Sequence, residues 1–289
     1  MKILCDFDGV LTNQVEEALQ VQTAFLQTLA AIHPEQAQGV ETLYKRVLQV
    51  MNENPWRHGW VRNGRVSAFA NEDLFIRMNG VASCLDQWAY EGLYKADAWK
   101  KALMKNEIGS FVELLDLSFQ KMVETTQAEQ RNPLDPEVTK VLKGLLSHEV
   151  EVVIVSNSST SRIEGILKMA ELEKLPIRIR GNAKKYELGN EPKTMEVGSY
   201  FVEVDRPFYQ KILDEEKPQA VIGDVFSLDL ALPLTLAQQS GEEIDLFLRK
   251  REYTPQWSQD WMENSYFSGC RLHVIDELSV LVQWAQGAS

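Results

Sequence analysis

No stretch of the 289-residue chain approaches the roughly 20 consecutive apolar residues that a membrane-spanning helix needs. The opening segment, MKILCDFDGV, runs only three apolar residues before its first acid, so it does not read as a secretory signal and a cytoplasmic address is expected. Cysteine is scarce: Cys5, Cys84 and Cys270 are odd in number and far apart, which excludes a disulfide framework and a zinc spacing. Cys5 reads as a small buried strand residue. No internal repeat or low-complexity tract is present. Positive charge is also short, 30 basic against 42 acidic residues for a net charge of −12. Such a surface repels nucleic acid and anionic membranes. It would repel an anionic substrate too, unless the site carries local positive charge or a bound cation. With 44% hydrophobic and 25% charged residues, what remains is a folded globular chain, long enough for a core plus an inserted module.

Residues 2–6 read as a short buried strand ending in an acid. From 14 to 131 the text turns helical. Val15, Leu19, Gln22, Phe25, Leu26 and Leu29 make one stripe, stopped by His33-Pro34, and Leu43, Val47, Val50 and Met51 a second. Trp88, Leu93, Trp99 and Leu103 fall in a third helical region, and Phe111, Leu114, Leu115, Phe119 and Met122 make another. Asn63-Gly64, between two short apolar-polar runs, predicts a type I′ hairpin. The segment Asn132-Pro133-Leu134-Asp135-Pro136 ends this region, with Asp135 and Pro136 expected to cap and open a new helix. Beyond it, strands are expected at 150–155, 176–180, 220–223, 244–249 and 272–275. Helices are expected at 162–169, from 208, at 228–238 and at 278–285. An extra hairpin is expected within 181–204. The alternation predicts an α/β fold, a doubly wound parallel sheet over 1–13 and 132–289, split by a mainly α-helical insertion over 14–131.

Ligands of open parallel sheets bind beyond the carboxyl ends of the strands, and four strand ends here carry polar groups. In Asp6-Phe7-Asp8-Gly9 the two acids lie two apart, so in extended chain both carboxylates point to one side. They read as a nucleophile and an acid/base beside a metal, or else as a solvated acidic turn. Ser156-Asn157-Ser158-Ser159 offers hydroxyls and backbone N–H groups to a phosphate oxygen, or else an ordinary N-cap. Arg206, just before a helix, reads as a phosphoryl ligand, a shield for the carboxylates or a surface arginine. Asp224 and Asp229, five apart, read as further oxygen ligands for Mg²⁺, or Asp229 as a plain first-turn acid.

Taken in order, DFDGVLT, VVIVSNS, DRPFYQ and IGDVFSLD resemble the four motifs of the haloacid dehalogenase superfamily, over about residues 1–13 and 132–289. The insertion stands where many members carry a helical cap. The third motif departs from the usual lysine: Arg206 stands there, with Lys184 or Lys185 as substitutes. The resemblance implies a Mg²⁺-dependent phosphohydrolase acting on a small phosphorylated metabolite. Asp6 would form an aspartyl-phosphate and Asp8 would serve as acid and then base. Mg²⁺ would rest on Asp6, the Asp8 backbone carbonyl, Asp224 and Asp229; Ser156, Asn157 and Arg206 would meet the phosphate. An acid at position 8 argues against dehalogenation, because halide leaves carbon without a proton. A phosphomutase or phosphotransferase, and a non-catalytic relative that binds phospho-ligands or a partner, remain alternatives. Within the insertion, expected to act as a lid, Arg57 and His58 could meet a second anionic group beside Trp56 and Trp60, or be surface and cap-core residues.

Overall fold

The computed structural model describes residues 1–128 and 133–287. The chain divides into two compact units, residues 1–13, 62–68 and 132–289 in one, and 14–61 and 69–131 in the other. The join expected at 131–132 lies outside the described residues. The sequence reading put 62–68 wholly in the insertion, whereas contacts group that segment with the first unit. Among the described residues no helix is long and apolar enough to cross a membrane.

In chain order the strands are β1 (Lys2–Cys5), β2 (Gly59–Arg62), β3 (Arg65–Phe69), β4 (Glu151–Val155), β5 (Arg178–Arg180), β6 (Thr194–Val197), β7 (Tyr200–Glu203), β8 (Ala220–Gly223), β9 (Ile244–Arg249) and β10 (Cys270–Ile275). The helices are α1 (Val15–Ile32), α2 (Val40–Glu53), α3 (Leu74–Glu91), α4 (Ala96–Lys105), α5 (Phe111–Ala128), α6 (Val138–Ser147), α7 (Thr160–Met169), α8 (Pro207–Glu216), α9 (Ala231–Ser240), α10 (Gln256–Asn264) and α11 (Ser279–Gly287).

The first unit is built on a six-stranded sheet in the order β10-β9-β8-β1-β4-β5. Every pairing in it is parallel. Counting only its own strands, this is the doubly wound 3-2-1-4-5-6 order, and the direction of winding reverses between β1 and β8. The near-continuous apolar runs of β1, β4 and β8 follow from burial on both faces. Ile3, Cys5, Val152, Ile154 and Ile222 pack with Val141, Leu142 and Leu145 of α6 and Ile163 of α7 in one core. Cys5 is a buried residue of β1, as expected, and burial pushes its thiol up to about 12. The expected extra hairpin is present as the antiparallel pair β6–β7.

The second unit is a helical cluster around Val21, Phe25 and Leu29 of α1, Val47 of α2, Leu85 of α3, Trp99 of α4 and Phe111 of α5. Each such fully buried side chain contributes roughly 1.5–3 kcal/mol through apolar burial. Leu19 is not part of the stripe, being largely exposed. The third helical region is two helices, because Gly92, Tyr94 and Lys95 all take left-handed backbone between α3 and α4. The Asn63-Gly64 turn has φ of 52° and 73°, as a type I′ hairpin requires.

Two helix starts differ from expectation. α6 begins at Val138, and Asp135 does not cap it; its carboxylate is spent on Arg249 at 3.3 Å and Arg251 at 2.6 Å. Helix α10, in the unread stretch between β9 and β10, was missed.

Candidate active site

Asp6 follows β1 and Asp224 follows β8, so the two acids flank the point where the winding reverses. Asp6 N–H donates to Ile222 O at 2.9 Å, which extends the β1–β8 ladder to the site itself. The chain then turns sharply: Leu11 and Thr12 N–H both bond Phe7 O, and Gly9 N–H donates to Thr12 Oγ1 at 3.2 Å. Gly9 has φ of +78°, and a Cβ there would lie 2.0 Å from Asp224 Oδ2, so only glycine lets the two strand ends approach. Gly223 does the same for the second acid, since its Cβ would meet Asp229 Cβ at 2.2 Å. Asp229 sits in a π-helical turn, Phe226–Leu230, and accepts from Val225 N–H at 3.1 Å.

Asp6, Asp224 and Asp229 each offer a ligand oxygen, and these atoms lie within 4.8 Å of one another. Lys185 enters the same cluster, its Nζ 2.8 Å from Asp6 Oδ1 and 2.5 Å from Asp229 Oδ1, with 2% of its side chain exposed. Burial alone would lower the lysine pKa; Asp229 and Asp6 override it and hold the ammonium protonated. Burial drives the Asp6 carboxyl up to about 8. Lys185 pulls against that shift, while Asp229 and Asp8 add to it. With all three carboxyls ionised, one ammonium leaves two formal negative charges among oxygens within 4.8 Å of one another. That deficit, with an all-oxygen donor set, fits a hard dication. Asp6 keeps 10% of its side-chain surface exposed.

Asp8 is placed apart from that cluster. Its Oδ2 accepts from Ser156 Oγ at 3.0 Å and Ser158 Oγ at 2.6 Å, and its Oδ1 pairs with Arg162 at 2.6 Å, with a quarter of the side chain exposed. The serine run thus serves two ends: Ser159 caps α7 through Arg162 N–H, while Ser156 and Ser158 turn to Asp8.

The other expected residues divide. Asn157 Oδ1 accepts from Lys185 N–H at 2.8 Å, so this side chain holds the backbone of the buried lysine. Arg206 requires a correction. Its guanidinium donates to Ser67 Oγ at 2.9 Å, to Lys185 O at 2.6 Å, to Ser227 O at 2.9 Å and to Ser67 O. It braces the loops behind the site, and the cation beside Asp6 is Lys185. Lys184 points elsewhere, 5.1 Å from the Phe208 ring centre. Arg57 is exposed and His58 half-buried in the helical unit; burial and then Arg57 lower the His58 pKa. Sequence reasoning gave Ser158 to a phosphate oxygen rather than to Asp8, and missed Arg162 and Tyr253, whose hydroxyl donates to Asp224 Oδ2 at 2.9 Å. For Arg162 the signal was there: it lies six residues past Ser156, in the first turn of α7.

No family model and no curated protein matches the chain. Solved structures similar to it along nearly its whole length are haloacid-dehalogenase-type hydrolases. They include a HAD phosphatase from Thermococcus onnurineus, at 12% identity and TM-score 0.48, covering 99% of both chains. The HAD-hydrolase YfnB from Bacillus subtilis, bound to magnesium, has 10% identity and TM-score 0.45, covering 98% of this chain and 97% of that one. A 2-haloacid dehalogenase from Pseudomonas syringae has 16% identity and TM-score 0.41, covering 100% and 99%. Both a phosphatase and a dehalogenase occur among these structures by name.

Proposed function

We propose that this chain is a phosphohydrolase of the haloacid dehalogenase type, which releases phosphate from a small phosphorylated metabolite in a Mg²⁺-dependent reaction. One observation carries the reading. Asp6 lies in a charge-deficient carboxylate cluster with Asp224, Asp229 and Lys185, while a second acid, Asp8, is held beside it on separate partners.

The chemistry follows from that division. An oxygen of Asp6 attacks phosphorus; an O–P bond forms as the bond from phosphorus to the ester oxygen breaks. Asp8 gives its proton to the departing oxygen, then takes one from the water that cleaves the aspartyl-phosphate. Ser156, Ser158 and Arg162 orient the Asp8 side chain before substrate arrives. Lys185 fixes the Asp6 carboxylate and supplies positive charge to the phosphoryl oxygens. Asp6, Asp224 and Asp229, with the Asp8 backbone carbonyl, would hold Mg²⁺, which adds the charge that three carboxylates and a phosphoryl group require. Displacement of halide from carbon would leave Asp8 without a task, which favours phosphorus over carbon as the reacting centre.

The test is a hydrolysis screen over phosphorylated metabolites and an aryl phosphate, with and without Mg²⁺, alongside halide release from 2-haloacids. Phosphate release that needs Mg²⁺ and falls at least 100-fold in Asp6→Asn is expected. A variant keeping more than a tenth of the rate overturns the nucleophile, and transfer of phosphate to an added sugar instead of water points to a phosphotransferase.

A further inference from the structure

The segment just past β9 belongs to none of the four motif-like stretches, yet it touches both sides of the carboxylate cluster. Arg251 Nε donates to Gly9 O at 2.5 Å, and its terminal nitrogen to Val10 O at 3.2 Å and Thr12 O at 2.9 Å. The same guanidinium pairs with Asp135 Oδ2 at 2.6 Å. Two residues on, the buried Tyr253 donates its hydroxyl to Asp224 Oδ2. That oxygen is also the atom a Cβ on Gly9 would strike. Asp224 Oδ2 is therefore held between the Gly9 backbone, which Arg251 pins, and the Tyr253 hydroxyl, which the turn before α10 carries.

The turn behind Tyr253 is hydrogen-bonded and the helix after it is packed. Arg251 N–H donates to Thr254 Oγ1 at 2.8 Å, closing the turn that bears the tyrosine. Trp257 and Trp261 of α10 pack edge-on against Phe226, two residues past Asp224, at 6.1 Å and 5.1 Å between ring centres. A carboxylate with one oxygen hydrogen-bonded to a fixed donor presents the other oxygen in a single direction. Orientation of that kind is what outer partners supply to metal ligands.

We propose that Arg251 and Tyr253 are positioning residues for a divalent cation: Tyr253 orients the Asp224 carboxylate toward it, and Arg251 holds the Gly9 turn against the same carboxylate. The inference rests on the cation site of the proposed function and goes beyond it in naming the residues that set its affinity. Neither residue touches a reacting atom.

The experiment is calorimetric titration of MgCl₂ into the purified full chain, wild type, Tyr253→Phe and Arg251→Lys, with thermal unfolding of each in EDTA. Phenylalanine keeps the ring and removes only the donor. The dissociation constant is expected to rise on the order of tenfold in Tyr253→Phe, at the low end of what loss of an outer partner does, and by about threefold in Arg251→Lys, which keeps the charge. Unfolding midpoints in EDTA should stay within a few degrees of wild type, which a merely structural role would not allow alongside weakened binding. Wild-type uptake of Mg²⁺ with both variants within twofold of it overturns this inference and leaves the cation site standing. No uptake by the wild type overturns the cation site itself. A Tyr253→Phe chain that does not fold marks the tyrosine as structural and overturns its positioning role, with Arg251→Lys still reporting on the Gly9 side.

Discussion

Two sets of buried carboxylates lie at opposite ends of the same parallel sheet, and their surroundings treat them in opposite ways. At the strand starts, Asp245 of β9 accepts from Arg271 at 2.8 and 2.6 Å, pairs with His273 at 2.8 Å and accepts from Trp284 Nε1 at 2.9 Å. Glu216, at the end of α8, meets Lys2 of β1 at 3.2 Å, Arg180 at 2.8 Å and Arg178. Burial alone would raise both acids. For Asp245 the bonds from Arg271, His273 and Trp284 reverse that and hold it well below the usual carboxylate range; for Glu216, bonds from Arg180, Arg178 and Lys2 bring it to about 2. At the strand ends, Asp6 and Asp229 share one lysine, Asp224 lies within the same cluster, and burial drives Asp6 upward. A buried carboxylate with its full set of donors stabilises the fold. A cluster left short of positive charge is held for a ligand that brings it.

The sharpest way to break this contrast is at Lys185. Lys185→Met removes the ammonium that Asp6 and Asp229 share, and Mg²⁺-dependent phosphate release should drop at least 100-fold, with folding followed by circular dichroism. A drop of less than tenfold would mean that the strand-end cluster does not depend on the ammonium that Asp6 and Asp229 contact. The strand-start set predicts the reverse pattern. Asp245→Asn should leave phosphate release near wild type while lowering stability by about 2 kcal/mol in urea unfolding at pH 7, since it takes the charge from a fully bonded buried acid. Loss of activity without loss of stability would erase the distinction.

Glu216→Gln is the mildest test, because its partners Arg178 and Arg180 are 47% and 40% exposed and solvent screens them. About 1 kcal/mol is expected at pH 7. The pH dependence has a definite sign. The folded-state pKa is depressed, so the stabilisation is complete above the ordinary glutamate value of about 4.5 and fades as pH falls toward about 2. Unfolding of both proteins at pH 7, 4.5 and 3 should show the gap closing as acid is added. A gap that widens in acid would overturn the assignment.

Much of the strand-end set was legible before any fold was known. Asp6 and Asp224 each end a short apolar strand, Asp8 and Asp229 follow two and five residues on, and a glycine beside each pair marks where the chain must turn or make room. Asn63-Gly64 announced its hairpin for a similarly local reason, a turn type that needs left-handed backbone at both positions. The choice between Arg206 and Lys185 was not legible. Both precede or lie within loops without periodic pattern, and which of them reaches Asp6 depends on how far each loop returns toward β1. The neutralised acids at the other end were equally hidden, since Asp245 meets Arg271 and Trp284 across 26 and 39 residues of chain.

The amino-acid order by itself determined the strands, the reversal of winding that gathers their ends, and the identity of the acids there, because local periodicity and turn chemistry act over a few residues. Only the tertiary structure decided which cation faces Asp6, which hydroxyls and arginine take Asp8, and that Arg251 reaches Gly9 from 242 residues away. Such pairings are set by the return paths of distant loops over a shared sheet, and a contact made across that distance leaves no pattern in the neighbouring residues.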